Sequence, residues 1–397
     1  MAGRLRRAWP AIGVLLVGAL VVGLALRDEP VDDEPPPRSA DDVTRSAGTS
    51  VRTAPEAQLY TVRRRGGVPD GWAGRVRRAP GVTAVARTGR TQVLLTRSTR
   101  AGGERVDAPP PGYGIPLDAL VVGPTAYAAV LPQEARAVAL MLRPGTALLT
   151  RTSARVRRLE TGDRIELAGG RRLRVAGVVD DQLGLDAELV LRPADAGGTP
   201  AWNRRLLLAT TRPRDLARAL PDDRASRISP VLPAPVDRRG GIVRALEVKD
   251  RFGEFAVRLP YGEDWIELDP RWVGEHIATR PVPILGAVTC HRAMFEPLSR
   301  ALGRLERRGL SGLVSAAEYA GCYAPRRIPG SGSLSLHAWG LAIDLNAAAN
   351  PQFASSRQDP RLVRAMERAG FTWGGRWPTA PDPMHFELHD RCPAHGC

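Results

Sequence analysis

Lysine is almost missing from this 397-residue chain: of 57 basic side chains, only Lys249 is not arginine. The net charge of +15 is therefore a guanidinium charge, and it reads first as a compositional habit rather than a dedicated polycation. Histidine and cysteine are absent from the first 275 residues, which excludes imidazole-held metals and thiol chemistry from that part. Aromatic residues make up only 5%, and 35 prolines with 41 glycines exclude long coiled coils in favour of turns and short elements. The length is too great for one ordinary domain and suits two folded units.

One long apolar run is present. Arg4, Arg6 and Arg7 precede an uncharged stretch from Ala8 to Leu26, and Arg27 closes it. That stretch is about as long as a bilayer crossing requires. The arginines before it and the acids Asp28, Glu29, Asp32, Asp33 and Glu34 after it put the N-terminus in the cytoplasm and the rest outside. Residues 1–27 are thus expected to be a single-pass anchor in the cell membrane, with a cleaved signal peptide as the competing reading. Residues 28–56, rich in Pro and acids, read as a disordered linker. Arginine stretches such as Arg63–Arg65 and Arg155–Arg158 then face anionic wall polymers or lipid headgroups rather than nucleic acid.

From 57 to 235 short β-branched runs follow one another: Leu59–Arg63, Val82–Arg87, Thr91–Thr96, Ile165–Leu167, Leu173–Val179 and Leu189–Leu191. They predict a strand-rich domain, with a hairpin turning at Gly169-Gly170. It contains no histidine or cysteine, so no metal or thiol cluster is visible. The stretch distantly resembles the small extracytoplasmic domains of bacterial permease-like export proteins, which implies binding of a substrate or partner at most, and a spacer or wall-binding module is the expected role. A proline-rich joint, Pro230–Pro235, closes this region.

Residues 240–397 carry everything with chemical reach. Met294, Leu298, Leu302 and Leu305 predict an amphipathic helix within Ala293–Leu310. A second helix is expected over Pro360–Ala369 with Asp359 as its cap, and short strands over Leu341–Leu345 and Met384–Leu388. All four cysteines lie here, and their even number in an exported chain suggests disulfides. Cys290 with Cys322 and Cys392 with Cys397 is the local solution of three.

His337 and Asp344 stand seven apart around a glycine turn, and a second histidine, His385, follows Asp382 by three residues. Two imidazoles and one carboxylate suit catalytic zinc, which takes three protein ligands and leaves a fourth position to water whose pKa falls toward neutrality. An uncoordinated carboxylate is then needed as general base. Asp382 is placed for it, and Glu387, on the same face of a strand as His385, is its rival. His389 and His395 read as surface residues, His291 as structural. Trp339 and Trp377 suit either substrate stacking or core packing.

The pattern SxHxxGxAxD from Ser335 to Asp344, with the later Asp382-x-x-His385, resembles the zinc D-alanyl-D-alanine carboxypeptidases and dipeptidases, grouped with the L-alanyl-D-glutamate endopeptidases of phage lysins. The surroundings Trp373–Trp377 and Met384–Glu387 look like the endopeptidase branch. The resemblance implies an α+β fold with a small antiparallel sheet flanked by helices, and zinc held by His337, Asp344 and His385. It further implies Asp382 as base, Arg326 as the arginine that meets substrate or oxyanion, with Arg327 its neighbour and rival, and Ser335 as a substrate contact. The expected activity is hydrolysis of amide bonds in peptidoglycan stem peptides. A non-catalytic wall-binding or scaffold protein that retains the fold is the alternative from another class.

Overall fold

The computed structural model describes residues 57–388 apart from 65–66, 70, 198–200, 220–225, 232–244, 260–264, 329–332 and 378–379. The expected anchor (1–27), the linker (28–56), most of the Pro230–Pro235 joint, the Cys392–Cys397 pair, His389 and His395 lie outside the described residues. Among the described residues no helix is long and apolar enough to cross a membrane.

Ten strands form the large sheet, nine from the first part and β10 from the second: β1 (Gln58–Arg64), β2 (Val82–Thr99), β3 (Tyr113–Val122), β4 (Thr146–Thr150), β5 (Arg164–Leu167), β6 (Arg171–Val179), β7 (Leu189–Leu191), β8 (Ala201–Thr210), β9 (Ser226–Pro230) and β10 (Val257–Arg258). They lie in the order β10-β3-β7-β4-β6-β5-β2-β8-β1-β9, and β3 also pairs with β2. That extra pairing closes β2, β3, β7, β4, β6 and β5 into a ring. Alternation then sorts the side chains, since neighbours along a strand face opposite ways. Leu117, Ala119 and Val121 join Val93, Leu149, Leu173 and Leu189 in one core. Leu120 and Val122 instead pack with Tyr127, Ala135 and Ala139 from the helices Pro124–Val130 and Gln133–Leu140.

The two runs predicted as Val82–Arg87 and Thr91–Thr96 are one strand, β2. Thr88-Gly89-Arg90 is absorbed as a register shift against β8, so this glycine does not break the strand. The hairpin at Gly169-Gly170 is present between β5 and β6, both glycines having positive φ (82° and 77°). Strands β3, β4, β8 and β9 lie outside the runs predicted from the sequence.

In the C-terminal part, β11 (Ile277–Val282) and β12 (Gly286–His291) form a hairpin. β13 (Ala342–Asp344), β14 (Phe371–Trp373) and β15 (His385–Leu388) form an antiparallel sheet in the order β13-β15-β14. The helix Phe295–Glu306 buries Leu298, Leu302 and Leu305 as its spacing predicts. The helix Pro360–Arg368 starts at Asp359, whose Oδ1 accepts from the Arg361 amide at 2.7 Å.

The two parts meet through a buried ion cluster. Lys249, on the helix Ala245–Phe252, donates to both carboxylate oxygens of Glu188 at 2.8 Å and to the carbonyl of Pro116 on β3. Arg157 donates to Glu188 at 2.8 Å and to Glu254. Glu188 also accepts from the Asp118 amide at 2.9 Å. Burial alone would raise the Glu188 carboxyl, but Lys249 and Arg157 outweigh it and hold it low. Two cations against two anions leave the cluster neutral, the condition under which buried charge is tolerated. β10 adds to the edge of β3 at Tyr113 and Gly114 beside it.

Lys249→Met should therefore lower the unfolding free energy by about 3 kcal/mol, because it strips a partner from a buried carboxylate. The double variant Lys249→Met/Glu188→Gln should recover part of that loss. Urea denaturation of the three proteins checks it, and a single variant as stable as the parent would remove the cluster from any part in holding the fold.

Candidate metal and catalytic site

His337 lies in a short 3-10 turn, Leu336–Trp339, that Ser335 caps by accepting from the His337 amide at 3.3 Å. Gly340 ends the turn with φ +65°, and a Cβ there would come within 2.7 Å of the His291 backbone nitrogen. Only glycine permits both the left-handed conformation and this approach. The His291 amide uses that closeness to donate to the Gly340 carbonyl at 2.9 Å. His291 itself caps the next turn, its Nδ1 accepting from the Ala293 amide at 3.1 Å, in keeping with a structural role. Trp339 is fully buried, donating through Nε1 to the Gly253 carbonyl at 3.2 Å.

β13 and β15 pair so that Asp344 stands opposite His385. The Asp344 amide also donates to Gly321 at 3.1 Å, which brings the neighbouring Cys322 to the site. Cys322 is joined to Cys290 on β12 by a disulfide, as expected from the sequence. Its carbonyl lies 2.8 Å from His337 Nδ1. A carbonyl can only accept, so Nδ1 carries the proton and the Nε2 lone pair faces the site.

His337 Nε2 is 3.2 Å from Asp344 Oδ2 and 3.3 Å from His385 Nδ1, and His385 Nδ1 is 2.9 Å from Asp344 Oδ1. All three residues are buried. Ligands at about 2.0–2.1 Å on a tetrahedron lie roughly 3.3 Å apart, so two imidazole nitrogens and one carboxylate at these separations fit zinc. His385 Nε2 meets Glu387 Oε1 at 3.1 Å, the carboxylate partner that orients a metal-bound imidazole. Glu387 is thereby engaged behind His385.

Asp382 is different. It is 8% exposed, and its Oδ1 is buried with no hydrogen-bond partner. Its backbone is fixed, the amide donating to Gly374 at 3.0 Å and the carbonyl accepting from His385 at 3.1 Å. A Cβ on Gly374 would meet the Asp382 carbonyl at 2.7 Å, so this glycine lets the turn Gly374–Arg376 press against the acid. Burial raises the Asp382 carboxyl; His385 opposes that rise, Asp344 adds to it, and His337 and Arg326 oppose it.

The guanidinium felt at Asp382 is that of Arg326. Its backbone is pinned by a bridge to Trp265 and by the Ser335 amide, which donates to its carbonyl at 3.2 Å. A cavity of about 910 Å³, bordered by Arg105, Tyr113, Phe255 and Trp272, includes none of these residues. The sequence did not point to the Cys322 carbonyl or to Gly374. The glycine doublet Gly374-Gly375 between two tryptophans was the available signal for the second.

Residues 329–388 match the family model described as D-alanyl-D-alanine carboxypeptidase. The matched stretch contains Ser335, His337, Asp344, Asp382 and His385. No curated protein matches the chain. Among solved structures, the periplasmic region of MacB from Actinobacillus actinomycetemcomitans is 12% identical, with 44% of this chain and 89% of that one covered and a TM-score of 0.28. The extracellular domain of the noncanonic ABC-type transporter YknZ from Gram-positive bacteria is 10% identical, with 43% and 99% covered and a TM-score of 0.27. Scores this low carry no argument about this chain.

In the metal-free protein burial would lower His385, but hydrogen bonds to Asp344 and Glu387 outweigh it and push the imidazole up to about 10. The hydrogen bond to Asp344 favours a proton on His385 Nδ1, which a metal binding there must displace. Zinc titrations in buffers of different ionisation enthalpy should thus show release of about one proton, with affinity rising with pH. Glu387→Gln should weaken zinc binding about 10- to 100-fold. Buffer-independent heats would contradict the assignment of His385.

Proposed function

We propose that this chain is a membrane-anchored, extracytoplasmic zinc metallopeptidase that hydrolyses amide bonds in peptidoglycan stem peptides. The observation that carries the reading is the unengaged carboxylate of Asp382 beside three buried donors 2.9–3.3 Å apart. Within the D-alanyl-D-alanine carboxypeptidase type, both the terminal D-Ala-D-Ala bond and the L-Ala-D-Glu bond suit such a site. The endopeptidase-like surroundings of Asp382 favour the second. The Cys290–Cys322 disulfide supports an oxidising compartment, and the arginine-rich surface suits anionic wall polymers.

Zinc held by His337, Asp344 and His385 would supply Lewis acidity toward the scissile carbonyl and a water acidic enough to ionise near neutral pH. The other duties fall to the chain. Asp382 accepts the water proton at Oδ1 and passes it to the leaving amine. Its raised pKa suits both halves of that transfer. Arg326 places positive charge where the tetrahedral oxyanion develops. Glu387 keeps His385 oriented, and Ser335, having accepted from the His337 amide, still has a hydroxyl proton to donate to substrate. In this scheme residues 57–235 position the peptidase of residues 240–397 in the wall.

Purified sacculi and stem peptides incubated with the soluble ectodomain should yield new termini by mass spectrometry, and the fragment mass names the bond cut. Asp382→Asn should retain zinc while kcat falls roughly 10²- to 10⁴-fold. Chelation should abolish cleavage in the parent protein. A zinc-loaded parent that releases nothing would defeat the catalytic reading.

A further inference from the structure

Asp382 Oδ1 is not the only polar atom left over at this site. Trp377 follows the Gly374–Arg376 turn, held by its amide to the Gly374 carbonyl at 3.0 Å. Its ring lies 5.2 Å from that of His385, tilted by 55°. Its Nε1 is buried and has no hydrogen-bond partner. Two other indoles of the C-terminal part are satisfied: Trp373 Nε1 donates to the Pro383 carbonyl at 2.8 Å, and Trp339 Nε1 to Gly253. Trp272 Nε1 is also unpartnered, but that ring stacks on His276 at 4.5 Å, in the wall of the cavity that contains none of the candidate residues.

What sets Trp377 apart is the histidine it packs against, beside which Asp382 leaves an acceptor unmatched. An indole N–H can only donate, and an ionised carboxylate can only accept. The site thus holds one unmatched donor and one unmatched acceptor around the same histidine. A peptide group presents the complementary pair, a carbonyl oxygen and an N–H. Buried polar groups are costly to leave unmatched, and a ligand that matches both relieves that cost.

We infer that Trp377 is a substrate-positioning residue whose Nε1–H takes a carbonyl or carboxylate oxygen of the peptide being cut. The inference rests on the peptidase reading above and adds to it a contact that selects for an acceptor oxygen beside the scissile bond. The packing of the ring against His385 is separate from this contact, so phenylalanine should preserve one and remove the other.

Trp377→Phe, made in the full zinc-loaded protein, should therefore keep its zinc affinity and thermal midpoint while kcat/KM for stem peptides falls about 10- to 100-fold. In the zinc-loaded Asp382→Asn background, where the peptide stays intact, adding Trp377→Phe should weaken peptide binding about 10-fold by calorimetry. Peptides ending in a free carboxylate and in an amide form two arms. Equal losses assign the amide carbonyl as the acceptor, and a loss confined to the free acid assigns the carboxylate. A Trp377→Phe protein that binds and cuts like its parent overturns the inference, as does a loss that only tracks zinc affinity or stability. A parent that neither binds nor cuts stem peptides overturns the peptidase reading, and this inference with it.

Discussion

The site depends first on the register of two short strands. Asp344 faces His385 because β13 and β15 pair antiparallel, and a slip of one residue would put the two side chains on opposite faces of the sheet. With three and four residues, these strands hold little register information in their own hydrogen bonds. The register is fixed from outside. Asp344 is bonded to Gly321 on one side, the Leu345 amide donates to Met384 at 2.9 Å, and Ile343, Phe386 and Leu388 are fully buried in one core. Sliding the pair would expose that apolar surface, which costs far more than one ladder bond.

The third candidate donor is brought in by another route. His337 sits in a turn whose position is dictated by Gly340 lying flat against β12, and whose ring is oriented by the carbonyl of Cys322. The disulfide joins Cys322 to the same strand that Gly340 contacts. Two covalently linked segments thus set both the place and the tautomer of one imidazole. This is preorganisation in a literal sense: the donor atoms converge through bonds that owe nothing to a metal.

The donor cluster of His337, Asp344 and His385 was legible in the sequence because its residues sit in short, locally spaced segments. A histidine and an aspartate around a glycine turn, and an acid three residues before a second histidine, are patterns that a strand and a tight turn can bring together. The choice between Asp382 and Glu387 could not be read in that way. Both carboxylates are within reach of His385, and only the structure separates one that is engaged on Nε2 from one whose Oδ1 is unmatched. The strand-rich region was legible by composition but not by topology. β2 reads in sequence as two runs on either side of Thr88-Gly89-Arg90, whereas in the structure that stretch is a register shift within one strand. The ring closure rests on β3 and β4, of which β3 is apolar on both faces and so lacks the alternation that marks a half-buried strand.

The buried Lys249 also decides what the protein cannot be joined to. It is the chain's one lysine, and its ammonium is enclosed among Glu188, Glu254 and the Pro116 carbonyl. Every other basic side chain is a guanidinium, far too weak a nucleophile to be acylated under ordinary conditions. No side-chain amine is therefore offered at the surface to an activated ester or to an enzyme that forges amide cross-links.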